Sequence, residues 1–134
     1  MSKPNGYKQY KKTAIQSASR EGLLLMLYEG AIKFTKQAKM AMEEGKIPEK
    51  CELIGKTFDI VMELNNTLDH KVGGELASQL EQLYIFMTDE LTQANITNDP
   101  KRLDNVLSVL QTLYDGWVQA IDQLKQTSAG ASNE

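Results

Sequence analysis

Apolar residues recur along this chain with the period of an α-helix, in four blocks parted by short polar breaks. Leu24, Leu27, Ala31, Phe34, Ala38, Ala41 and Met42 share one face of the first block. Ile54, Phe58, Val61, Leu64 and Leu68 do the same in the second, and Leu76, Leu80, Leu83, Tyr84, Met87 and Leu91 in the third. The fourth carries Leu103, Val106, Leu107, Leu110, Leu113, Tyr114, Trp117, Ile121 and Leu124. Each block is long enough for a helix of ~30–40 Å at 1.5 Å per residue.

The breaks fix the boundaries. Ser19 is a good N-cap for a first helix ending near Glu44 and Gly45. Pro48 opens a second that fades around His70 and Lys71, and Gly73-Gly74 separate it from a third running from about Glu75 to Ala94. Asp99-Pro100, a cap followed by proline at the first helical position, starts a fourth that reaches about Gln126. Connections this short make neighbours antiparallel. The pattern predicts an all-α, up-down-up-down four-helix bundle over residues 19–126. An arm over residues 1–18 is expected either to pack on apolar surface or to be a lysine-rich solubility tail, and a polar tail over 127–134 is expected to be disordered.

Two helices carry more apolar surface than a bundle needs. Leu25 and Ile32 lie roughly 140–160° from Leu27 and stack one above the other, flanked by Met26 and Tyr28. In the third helix Leu83-Tyr84-Ile85-Phe86-Met87 is apolar all round, so Ile85 and Phe86 fall off the core face. The arm or a second copy of the chain could cover this surface; a groove for a partner segment would use it equally well. The arm has Lys3, Lys8, Lys11 and Lys12, no acid, and Tyr7 and Tyr10 spaced to share one face of a helical turn. Gly22, Gly30, Gly55 and Gly116 fall inside helices, where close helix approach or room for a bound backbone would explain them. Thr57 and Asn65 fall on the core side and are expected to hydrogen-bond within the bundle.

Composition narrows the function. The 134 residues carry a formal net charge of -3, which argues against nucleic acid as a partner. No apolar run is long enough to insert in a membrane, and a secretory signal is missing from Met1 onward, so the expected location is the cytoplasm. Charge divides unevenly: residues 1–56 hold 11 Lys/Arg against 6 Asp/Glu, and residues 57–134 hold 4 against 12. With one cysteine, Cys51, and one histidine, His70, neither a di-iron nor a structural zinc site can be assembled. No phosphate-binding glycine loop is present. No cofactor, metal or catalytic residue is expected. His70 could carry phosphotransfer in a bundle, but its place at a helix C-terminus suits capping of the dipole better.

Taken in order, the residues resemble a known family, the flagellin-specific export chaperones called FliS. The resemblance spans about residues 5–125. It rests on Asn5-Gly6-Tyr7-Lys8-Gln9-Tyr10, Ala18-Ser19, Leu25-Met26-Leu27-Tyr28-Glu29-Gly30-Ala31-Ile32, Glu63-Leu64-Asn65, Leu68-Asp69, Gly73-Gly74-Glu75-Leu76-Ala77, Leu80, Leu83-Tyr84, Met87, Leu91, Ala94-Asn95 and Trp117. It departs at Arg20-Glu21-Gly22, at Gln79 and at Asp89-Glu90, where acids stand in place of the family's arginines near its partner surface. The resemblance implies a cytoplasmic, non-enzymatic chaperone that binds the disordered C-terminal segment of flagellin. Such a chaperone prevents premature polymerisation and delivers the subunit to the flagellar export gate, with the arm closing an apolar pocket until flagellin displaces it. The residues expected to contact the partner or gate its access are Tyr7, Tyr10, Leu25, Tyr28, Ile32, Ile85, Phe86 and Asn95. A homodimer of the unliganded chain is the competing expectation.

Overall fold

The computed structural model describes residues 19–132, all within or beside four helices: α1 Arg20–Glu43, α2 Ile47–Asn66, α3 His70–Thr97 and α4 Pro100–Ser132. Each helix packs on its sequence neighbours, and α1 also packs on α4, which closes an antiparallel ring with up-down-up-down order. The core is built from Tyr28, Ala31, Ile54, Val61, Leu64, Leu80, Tyr84, Met87, Leu91, Leu103, Val106 and Leu110, with Leu24, Leu27, Ile32 and Trp117 packed around it.

Ser19 and Asp99 cap as the sequence suggests. The Ser19 side chain accepts from the Gly22 amide at 3.2 Å, and Asp99 accepts from the Lys101 amide at 3.0 Å with Pro100 opening α4. The α2–α3 boundary differs from the sequence reading. Asp69, not a residue after the glycines, is the N-cap of α3, accepting from the amides of Lys71 and Val72 at 3.0 and 3.1 Å. His70 therefore begins a helix instead of ending one. Its Nε2 stands 3.4 Å from Glu81 Oε2, a carboxylate that would repel an incoming phosphoryl group. The glycine pair lies inside α3 as a kink, with Gly74 at φ 51° and ψ -123°, which only glycine adopts without strain. α4 runs through Ser132, past the expected end at Gln126.

Polar ties set the register. Thr35 Oγ1 donates to the Ala31 carbonyl and reaches Thr57 Oγ1 at 3.2 Å, joining α1 to α2 inside the core. Lys50 is buried, and its Nζ donates to the Asn95 carbonyl and to Asn98 Oδ1 at 3.1 and 3.2 Å. This ties the start of α2 to the left-handed Asn98 that ends α3. Asn65 departs from expectation: its Oδ1 is buried and accepts no hydrogen bond among the described residues. Of the helical glycines, Gly30 faces a neighbour, since a Cβ there would sit 3.5 Å from Ile60 Cδ1. At Gly55 and Gly116 a Cβ would meet nothing within 4 Å, so close approach does not explain them.

Candidate functional site

The buried line of α1 runs through Tyr28, Ala31, Thr35, Ala38, Ala41 and Met42, turned slightly from the stripe read in the sequence so that Tyr28 and Thr35 join it. That rotation matters. It moves Leu24, Leu27 and Phe34 from the centre of the core to its flank, where they are half-buried. With Leu23, Met26 and Gly30 of α1 and Ile60 of α2 they line a groove of about 740 Å³. This volume falls within the range of specific binding clefts. Arg20, Glu63, Thr67 and Asp69 rim it. The groove lies at the end of the bundle where α1 begins, with Arg20 of its first turn on the rim. Its chemistry is an apolar floor with acids on the α2 side, suited to a helical or extended segment carrying apolar anchors.

The residues expected at a partner surface are dispersed. Tyr7 and Tyr10 lie outside the described residues. Leu25 and Ile32 are half-buried on α1, but Ile32 packs on the core and lines a second, smaller cleft towards α4 with Lys36, Gln111 and Tyr114. An Asp there would therefore disturb folding as well as any surface. Ile85 and Phe86 are exposed on α3, which lies diagonally across the ring from α1. Asn95 is at the far end of α3, holding Lys50 through its carbonyl and accepting from Cys51 Sγ at 3.3 Å. No single groove holds all of these, so a partner touching them must wrap the bundle. Glu90, one of the acids at the family departure, is engaged internally: Arg102 Nη1 and Asn105 Nδ2 donate to its two oxygens at 3.1 and 3.2 Å. Asp89 remains exposed.

Tyr28 is fully buried and works behind the groove. Its hydroxyl shares a 2.5 Å hydrogen bond with that of Tyr84 and accepts from Trp117 Nε1 at 3.2 Å, joining α1, α3 and α4. Burial pushes both phenols up from the ordinary tyrosine value, Tyr84 further, because ionised Tyr28 beside it would be a like charge. Both stay neutral in the folded state at a pH where the unfolded chain ionises. Stability is thus fully present below pH 10 and falls as the pH rises above it, by ~1.4 kcal/mol per unit for each phenol still protonated. Urea midpoints measured from pH 8 to 11 should drop above pH 10, and less steeply in Tyr84→Phe; an equal slope in that variant would place the titration elsewhere.

The sequence matches the family model described as flagellar protein FliS over residues 3–124. The chain belongs to the FliS family. It is 41% identical to the flagellar secretion chaperone FliS of Vibrio cholerae, over 82% of this chain and 84% of the relative. It is 40% identical to FliSB of Pseudomonas aeruginosa, over 82% and 90%. Against FliS of Bacillus subtilis it is 34% identical over 95% and 94%. A solved structure described as a flagellar chaperone from bacteria superposes with a TM-score of 0.74 at 22% identity, covering 90% of this chain and 98% of that one, which supports the fold. Membership of a chaperone family implies a binding protein, not an enzyme. Among the described residues no group of three or more His, Cys, Asp or Glu could hold a metal ion, and no helix is long and apolar enough to cross a membrane.

Proposed function

We propose that this FliS family member is a cytoplasmic chaperone that takes the disordered C-terminal segment of flagellin into the α1–α2 groove, prevents premature polymerisation and presents the subunit to the flagellar export gate. The observation that carries this reading is an apolar groove of about 740 Å³ at the start of α1, in a family of flagellar secretion chaperones. A disordered segment can extend from this groove along the bundle, burying ~1,000–3,000 Å² while ordering costs ~2–5 kcal/mol. The reading needs no cofactor and no catalytic group.

Residues 1–18 act as the gate in this proposal. Their four lysines complement Glu63 and Asp69 at the rim, and Tyr7 and Tyr10 supply apolar bodies of the kind the groove accepts. A segment that occupies the groove part of the time lowers apparent affinity by the fraction of empty groove. The test is seeded flagellin polymerisation. An equimolar amount of the chaperone should arrest filament growth, and Tyr7→Ala/Tyr10→Ala should arrest it at lower concentration. Growth unaffected by excess chaperone would refute the proposal.

A further inference from the structure

A second face differs in chemistry from the groove. The contacts of Cys51 and Lys50 with Asn95 and Asn98 fix the register of antiparallel α2 and α3. Advancing along α2 from Cys51 to Met62, and the same number of residues back along α3 from Asn95, reaches Tyr84, so Met62 is level with Tyr84 and within one residue of Ile85. Both are exposed, at 38% and 51%. Asp59 and Asp89 are also exposed, about one turn further along the same seam. The sequence holds no Lys or Arg between Lys71 and Lys101. On α2, Lys50 is buried, and Lys56 sits over the Phe34 ring of α1 with Glu52 at 3.7 Å.

We propose that the α2–α3 face docks an amphipathic helix of a partner protein bearing Lys or Arg beside its apolar anchors, at a site separate from the α1–α2 groove. The apolar pair of Met62 and Ile85 supplies burial, and Asp59 and Asp89 select positive charge. Nucleic acid and anionic membrane are repelled by the same acids. A symmetric dimer through this face would set acids against acids, so a second copy does not fit.

The test is fluorescence anisotropy on the full chain, using a labelled helix of about 18 residues, ~27 Å long, made of Leu, Ala and Lys, and a twin with Glu in place of Lys. The basic helix should bind, weaken as salt rises from about 0.05 to 0.3 M, and weaken at least tenfold against Met62→Lys/Asp89→Lys. Both substituted residues are on the surface, so the variant's unfolding curve should match wild type. A flagellin C-terminal peptide, titrated in parallel, should bind the variant as it binds wild type. Equal binding of the two twins, no binding of the basic helix, or an unchanged affinity for the variant would overturn the assignment. Loss of the flagellin peptide together with the basic helix would also overturn it, by making the face part of the flagellin site.

Discussion

Truncating Tyr28 to alanine is expected to cost about 3–5 kcal/mol of folding stability, the range for removing a large aromatic from a tight core. The residue is wholly buried and bonded to Tyr84 on α3 and Trp117 on α4. The loss has two parts that a second variant separates. Tyr28→Phe keeps the ring but leaves the Trp117 N–H and the Tyr84 hydroxyl without their shared partner, at ~1–3 kcal/mol for an unsatisfied buried polar group. Denaturant titration followed by circular dichroism gives both numbers. Trp117 is the one tryptophan of the chain, so its emission reports directly on the broken bond. Alanine and phenylalanine variants of equal stability would mean that the hydrogen-bond chain, not the packing, carries the whole effect.

Met26→Lys is the second large effect, on binding. Met26 lines the α1–α2 groove and, unlike Leu24 and Leu27, is not packed on the core cluster. Losing a buried methionine contact forfeits ~1.5–3 kcal/mol, and a lysine must in addition be desolvated by the incoming segment. Affinity for the flagellin C-terminal segment should fall by ~10–100-fold, with helicity and unfolding midpoint close to wild type. Ile32→Asp is the instructive contrast. Because Ile32 packs on the core, that variant should lose stability along with binding, and so cannot by itself locate the partner site.

The comparison of these two residues shows what the sequence could and could not supply. Four amphipathic blocks and their caps at Ser19 and Asp99 were legible because period and cap chemistry are local. The rotation of α1 was not. A helical wheel measures angles within one helix, and the wide apolar arc of α1 admits several centres. Only the neighbours decide that Tyr28 goes inward and Leu24, Leu27 and Phe34 become the wall of a groove. The signal lay in Leu23, Met26, Gly30 and Phe34, a second line at helical spacing beside the first. The start of α3 was misplaced for a different reason: the glycine pair is the strongest breaker in view, yet an Asp69 side chain capping two amides recruits the turn before it. Glu90 looked like partner-facing charge because its partners, Arg102 and Asn105, lie on the next helix.

The most direct test of the central claim is a calorimetric titration of the full chain with a peptide of the last ~40–50 residues of flagellin, ~60–75 Å if helical and so able to pass the groove and continue round the bundle. A one-to-one complex is expected, with a negative heat-capacity change from apolar burial, abolished or strongly weakened by Met26→Lys and tightened by Tyr7→Ala/Tyr10→Ala. A peptide that binds Met26→Lys as well as it binds wild type would contradict the α1–α2 groove as the flagellin site, and absence of binding to the folded wild-type chain would contradict the flagellin assignment itself.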